Sequence, residues 1–466
     1  MSLTPAALDD SRARLWRVEI ADTLRLAWPM ALTQLGQVAM LTTDLMLIGR
    51  LGEVPLAAAA LGHTVLFAVF VIGMGLTSAV APLAAQAYGA REPRQVRRAL
   101  RVGLQLSLFV GLPCSIALLW AETVLIGLGQ APDAAKLAAR YLQGMAWCMV
   151  PAWMFIAVRG FMGAVKRPEP ALWITLVAIP MNGLIAYGLV TGSLGFPRLE
   201  IIGAGIATTV VNLFMCAAGF FIVVTQRPFR KYRPLGRFWR SDALVMRQLL
   251  VVGLPISGGF LLEFGLFAAA ALLMGTIGPA ALAAHQIALQ VAAALFMIPF
   301  GISMAATVRV GHAVGRKDAA AAGRAGWAAI GLGAVAMAAM ALVVIAVRHA
   351  IPALFLGPAA AESEAARLAA SLLLLGAGFA VFDGVQTVAA GALRGFNDTR
   401  MPLLFSLFSY WAIGFASSWL LAFRFGLGAQ GIWVGLSLGL AAYAALLVAR
   451  FRVLTRSGSL PAVTTA

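Results

Sequence analysis

The chain has 466 residues, 61% of them hydrophobic and only 11% charged, with a mean hydropathy of +0.90 and a formal net charge of +17. Those values exclude an ordinary water-soluble globular chain, and they place the protein among membrane proteins. The 35 basic residues are spread over loops without interleaved aromatic stacking residues, so the excess charge does not point to nucleic acid.

The opening residues, MSLTPAALDDSRARLWRVEIAD, mix acids and bases and lack an apolar core followed by a cleavage site, so no removable signal peptide is expected. Apolar windows of roughly 20 residues, each long enough to cross a hydrocarbon core as a helix, then recur along the chain. They predict twelve spans near 22–48, 56–82, 98–121, 137–158, 170–192, 201–225, 248–274, 280–307, 323–347, 367–392, 402–423 and 430–450. The fold class is therefore an all-α polytopic membrane protein. Its expected organisation is a cytoplasmic segment 1–21, a six-helix lobe 22–225, a basic linker 226–247, a second six-helix lobe 248–450 and a tail 451–466.

Grouping Lys and Arg by alternate loops places 28 of the 35 on one side, with the first residues and the linker, and 7 on the other. This asymmetry predicts both termini in the cytoplasm and an even number of spans. Cys114, Cys148 and Cys216 lie in spans without paired spacing, which reads as buried apolar filling and not as a disulfide or zinc framework.

The second half repeats the first at a shift of 226 residues. Pro29 matches Pro255, Gly49 matches Gly275, Gly52 matches Gly278, Gly75 matches Gly301, Gly89 matches Gly315 and Gly205 matches Gly431. Around the fourth span the shift becomes 235, where VRGF at 158–161 meets LRGF at 393–396. Six spans followed by six in the same orientation imply a parallel repeat about an axis along the membrane normal, a plan many transporters share.

Of 18 acidic residues only Asp44, Glu263 and Asp383 lie well inside spans. A charge at the bilayer centre costs roughly 2.5–3.5 kcal/mol on insertion scales, so such residues face a wet cavity or a partner. Glu263 corresponds to Gln37 and Asp383 to Cys148, so the shared fold requires neither acid. No Lys or Arg lies near mid-span. Each carboxylate must then take a proton or bind a cation, the two coupling ions open to a secondary transporter. Oxygen ligands also suit a hard cation such as Na⁺.

Polar neighbours fall on the same faces. Gln386 and Thr387 follow Asp383 by three and four residues, and Gln34, Gln37 and Asp44 share one stripe of the first span. Pro29 and Pro255 lie early in spans one and seven and Pro299 in the middle of span eight, where they free backbone carbonyls and permit bends.

DLMLIGRLG at 44–52, IPMN at 179–182, GLPISGGFLLEFGLF at 253–267 with the following AAHQIALQ, and DGVQTVAAGALRG at 383–395 resemble the multidrug and toxic compound extrusion (MATE) family, in its NorM-type branch. The resemblance covers nearly the whole chain. It implies two six-helix lobes about a V-shaped cleft and Na⁺- or H⁺-driven antiport of bulky cationic or aromatic compounds. By motif match, Glu263 and Asp383 would form the carboxy-lobe cation site, with Na⁺ or H⁺ as coupling ion and no other cofactor. Asp44 would be the amino-lobe acid with Asn182 beside it. Family members often carry a second polar residue one turn before that Asn, where this chain has Ala178.

Structural alternatives stand beside these roles. Glu263 and Asp383 would otherwise be protonated inter-helix hydrogen-bonding groups. Asp44 would sit solvated at the interface, Asn182 would be a helix contact, and His285 would be packing. Arg159 and Arg394 are expected to snorkel to the cytoplasmic face. Candidate cleft residues are Gln34, Gln37, Phe264, Gln286 and Gln386. Phe67, Phe70, Met74, Phe267, Phe296 and Met297 either line that cleft or face lipid. Expected partners are small organic cations, the coupling ion and the bilayer, with the protein acting as a monomer in a plasma membrane, namely a bacterial inner membrane. The competing function is a lipid-linked precursor flippase of the same broad superfamily, whose anionic headgroup calls for intramembrane Arg. No HExxH, GxSxG or DDxxD-like cluster supports an enzyme.

Overall fold

The computed structural model describes residues 5–127, 129–193, 195–233, 236, 238–357 and 363–456, with side chains from residue 14 onward. Residues 1–4 of the expected amino-terminal segment, 234–235 and 237 of the linker and 457–466 of the tail lie outside that range. Among the described residues, twelve helices are long and apolar enough to cross a membrane. They are α1 (Pro5–Gly49), α2 (Glu53–Gly89), α3 (Pro93–Leu118), α4 (Pro132–Ala164), α5 (Glu169–Thr191), α6 (Glu200–Thr225), α7 (Ala243–Ile277), α8 (Pro279–Gly315), α9 (Ala319–Val347), α10 (Glu364–Gly395), α11 (Arg400–Arg424) and α12 (Gly428–Arg456). The expected all-α class with twelve spans holds. α1 runs from Pro5 and so covers described residues of the expected amino-terminal segment as well as the first span.

Local chemistry sets many helix ends. Pro93, Pro132 and Pro279 occupy first helical positions, where a missing N–H costs nothing. Asp318 and Ser363 accept the backbone N–H of Ala321 and Ala366 at the starts of α9 and α10. The internal prolines Pro29, Pro255 and Pro299 stay within continuous helices. α11 departs from the α form, being π-helical over Leu407–Phe415 and again over Leu420–Arg424.

The duplication is written into the backbone as well as the letters. Gly52 and Gly278, 226 residues apart, precede α2 and α8 with φ of 120° and 153°, a region open in practice to glycine alone. Arg91 and Lys317, again 226 apart, hold φ of 61° and 59° just past the ends of α2 and α8. In both turns the next residue donates its N–H back to a carbonyl inside the helix, Glu92 to Ala87 over 2.9 Å and Asp318 to Ala313 over 3.0 Å. Lys166 and Asn397 end α4 and α10 in the same way.

The chain forms two compact units. One comprises residues 32–257 and the other residues 1–31 with 258–465. These bounds differ from the lobes expected at 22–225 and 248–450, because they fall inside α1 and α7 and not in loops. Close helix crossings account for the position of the cut. In the first unit a Cβ placed on Gly75 of α2 would lie 2.5 Å from Ser257 Cα of α7. In the second, a Cβ on Gly301 of α8 would lie 2.6 Å from Ala31 Cα of α1. Gly75 and Gly301 are repeat partners, as are Ala31 and Ser257.

The fourth helix of each repeat is central to its unit. α4 packs on α2, α3 and α6, and α10 packs on α8, α9 and α12. Trp153 of α4 is fully buried and donates its indole N–H to the Phe70 carbonyl over 3.2 Å. Cys114, Cys148 and Cys216 carry free thiols.

Candidate functional site

Asp383 lies on α10, the central helix of the unit formed by residues 1–31 and 258–465, and is 6% exposed. Gln386, one turn further on the same face, is 2% exposed. Its Nε2 donates to Asp383 Oδ1 over 2.9 Å and to Glu263 Oε1 of α7 over 3.1 Å. Two acids 120 residues apart in sequence are thus brought within reach of one amide nitrogen. The amide is itself held, since the Tyr410 hydroxyl of α11 donates to Gln386 Oε1 over 2.6 Å. Tyr410 sits in the π-helical stretch and packs edge-on against Tyr443 of α12, with ring centroids 5.0 Å apart. Five side chains from four helices therefore converge, all within one unit.

Gln386 was expected to line a cleft, and the structure instead buries it between the two acids. Tyr410 and Tyr443 carried no signal in the sequence, because a phenol in an apolar helix reads as packing. Arg394 was expected to snorkel. Its guanidinium, half-buried, lies 5.2 Å from the centroid of the ring of Phe260, which precedes Glu263 by one turn.

The other unit has its own acid. Asp44, near the end of α1, is 2% exposed and does not sit in solvent. Asn182 Nδ2 of α5 donates to its Oδ1 over 2.7 Å, and the Thr208 hydroxyl of α6 donates to its Oδ2 over 2.8 Å. Thr208 was not anticipated. At the 226-residue shift Asp44 corresponds to the buried Ala270, so each unit holds acids that its sister lacks at the matching places.

Arg159 of α4, the repeat partner of Arg394, is 6% exposed and donates through Nη1 to Gln34 Oε1 of α1. It does not snorkel, and Gln34, expected in a cleft, is buried as its acceptor. Gln34 and Phe260 are themselves repeat partners, so the two arginines reach equivalent places with different chemistry. Of the remaining cleft candidates, Gln37 and Phe264 are half-buried and Gln286 is exposed. Phe267 packs on Phe379 and Phe296 on Phe300. His285 is fully buried, its Nδ1 accepting from Trp433 Nε1 over 3.2 Å, in line with a packing role.

Among the described residues no group of three or more His, Cys, Asp or Glu side chains could hold a metal ion. A hard cation at Glu263 and Asp383 would need amide, hydroxyl or carbonyl oxygens to complete its shell.

Comparison with known proteins bears on the arrangement as a whole. The MatE family model matches residues 29–188 and then again 255–420, the two starts separated by the 226-residue shift. A probable multidrug resistance protein NorM of Rhodopseudomonas palustris is 59% identical over 462 residues, covering 99% of this chain and 98% of that protein. The chain belongs to the MATE family, in its NorM-type branch. A second probable NorM, from Bradyrhizobium diazoefficiens, is 55% identical over 94% of both chains. Among solved structures, the eukaryotic MATE transporter AtDTX14 superposes with a TM-score of 0.84 at 21% identity, over 95% of this chain and 98% of that one. A MATE crystal structure described as the bent conformation gives 0.84 at 18% identity, over 96% and 98%. These likenesses show that the MATE fold extends over essentially the whole described chain.

Proposed function

We propose that the protein is a secondary active multidrug efflux transporter that exchanges Na⁺ or H⁺ for cationic or aromatic organic compounds by alternating access. Its names among relatives supply the class, and the Glu263–Gln386–Asp383 constellation carries the mechanism. Gln386 is neutral, so its two N–H groups satisfy one oxygen of each acid without cancelling charge. That leaves the pair short of positive charge. A proton or Na⁺ arriving at the acids supplies it. A cationic drug is attracted to the same charge, so the two compete, and the ion releases the drug by stabilising one arrangement of the transporter over the other. Asp44 with Asn182 and Thr208 is a second ion-responsive point.

The membrane is a bacterial inner membrane, with both termini on the cytoplasmic side by the charge bias, and the working unit is the monomer. The lipid-linked precursor flippase gains one observation, the buried Arg159. That guanidinium is already engaged by Gln34, which favours a structural part for it. Ethidium efflux from proteoliposomes, driven separately by an imposed Na⁺ gradient and an imposed pH gradient, tests the proposal. Efflux that follows either gradient supports antiport, and none under both gradients turns the reading toward the flippase.

A further inference from the structure

The end of α12 carries an extension that its repeat partner lacks. α6 stops at Thr225, which corresponds to Phe451, whereas α12 continues through Arg456. The extension holds Arg452 and Arg456, four residues apart on one face and both exposed. Like charges at that spacing oppose helix formation, so the extension works against itself unless an anion answers it.

No neighbouring acid does so. Arg450 takes Asp398 over 2.8 Å, and Asp318 at the start of α9 accepts the Ala321 N–H over 2.9 Å. Among the described residues neither Arg452 nor Arg456 makes an ion pair. Residues 457–466, SGSLPAVTTA, add no acidic side chain.

The two arginines stand at the mouth of a groove. A cavity of about 780 Å³ is lined by Trp327 of α9 and by Ala445, Val448, Ala449, Arg452 and Arg456 of α12. Its walls are set by packing within the unit of residues 1–31 and 258–465. Trp327 meets the fully buried Phe451 edge-on with ring centroids 5.5 Å apart, and Gly326 leaves room for that ring, since a Cβ there would overlap it.

Charge and apolar surface are sorted along the groove. Ala449 is the last residue of the charge-free run of α12, and Trp327 stands one turn beyond Arg324, the last charged residue before the charge-free run of α9. Arg452 and Arg456 therefore lie at the headgroup boundary, while Trp327, Ala445 and Val448 lie on its hydrocarbon side. The shared fold requires none of this, since Trp327 corresponds to Arg101 and Arg452 to Gln226.

We propose that this groove between α9 and α12 binds an anionic phospholipid of the adjacent leaflet. The phosphodiester answers Arg452 and Arg456, and an acyl chain lies along Ala445, Val448 and Ala449 beside the indole of Trp327.

The test is lipid retention by the delipidated full-length protein in detergent, read by native mass spectrometry. It is titrated with phosphatidylglycerol, with phosphatidylcholine, and with phosphatidylglycerol in the presence of soluble glycerol phosphate. The parent should retain phosphatidylglycerol preferentially, with glycerol phosphate competing poorly. R452Q/R456Q should lose that preference by about fivefold or more, while R91Q/R94Q, which removes two exposed charges from the loop between α2 and α3, should keep it. Ala449→Phe fills the groove without touching either charge and should also weaken retention, because Ala449 is exposed and the larger ring displaces only the lipid chain. Equal losses in R452Q/R456Q and R91Q/R94Q, unchanged retention in Ala449→Phe, or full competition by glycerol phosphate would each overturn the proposal. So would a dimer in the same spectra that Ala449→Phe abolishes, which would give the groove to a second copy of the chain.

Discussion

The Tyr410 hydroxyl donates to Gln386 Oε1 over 2.6 Å, and that bond decides which way the amide faces. With its oxygen occupied, Gln386 must turn both N–H groups toward Asp383 and Glu263. The acids are thereby oriented by a residue that is itself oriented. Gln386→Leu should leave the protein folded and reduce gradient-driven ethidium efflux by about tenfold or more, the loss expected when hydrogen bonds to charged groups go. Tyr410→Phe keeps the ring and its contact with Tyr443, so it should cost less than Gln386→Leu. Initial efflux rates in proteoliposomes, normalised to reconstituted protein, give the order of the two.

Thr208 makes a prediction of the same kind in the other unit. Its hydroxyl supplies one of the two side-chain hydrogen bonds seen at Asp44. Thr208→Val keeps the branched shape and removes the donor, and should lower efflux about tenfold. Thr208→Ser should restore most of it, which a packing role for the Thr208 methyl group would not allow. The comparison is made on the same transport assay.

The paired crossings at Gly75 and Gly301 predict a stability effect without any loss of chemistry. A single methyl group at either place meets backbone, 2.5 Å from Ser257 Cα or 2.6 Å from Ala31 Cα. Gly75→Ala and Gly301→Ala should each destabilise the protein by about 1–3 kcal/mol, because backbone cannot step aside as a side chain can. Gly378→Ala in α10 meets nothing within 4 Å and serves as the neutral control. Thermal unfolding in detergent reads all three.

Arg309 of α8 ties the start of α1 to its unit. It meets Glu19 at 2.5 Å and Asp22 at 2.7 Å, with Arg309 and Glu19 largely buried and Asp22 about half exposed. Arg309→Ala leaves Glu19 without its partner and should cost about 1–3 kcal/mol. Asp22→Ala should cost less, since its charge is hydrated. The contrast appears as a larger drop in unfolding temperature for the arginine variant.

The sequence made the spans and the duplication legible because both are long-range patterns that lipid enforces. Twenty apolar residues have one outcome in a membrane, and Gly52 and Gly278 keep their backbone torsions because no other residue tolerates them. Glu263 and Asp383 stood out because a charge in an apolar run is conspicuous. Thr208 and Tyr410 did not, since a threonine hydroxyl in such a helix commonly bonds its own turn and a phenol reads as packing, so neither leaves a trace of a distant partner. Arg159 was misread from position along the chain. It lies near a helix end, but Gln34 lies on a neighbouring helix within reach, and only tertiary packing shows that. The unit boundaries were hidden for the same reason, being set by helix crossings at Gly75 and Gly301 and not by loop composition.

The central claim is that Glu263 and Asp383 together carry ion coupling. The direct measurement is ethidium efflux from proteoliposomes under an imposed Na⁺ gradient and, separately, an imposed pH gradient, comparing the parent with the variant carrying both Glu263→Gln and Asp383→Asn. These amides keep the side-chain shapes and remove the charge. The parent should follow at least one gradient, and the double variant, with its unfolding temperature intact, should follow neither. Gradient-driven efflux that survives in the folded double variant would contradict the account and move coupling to Asp44.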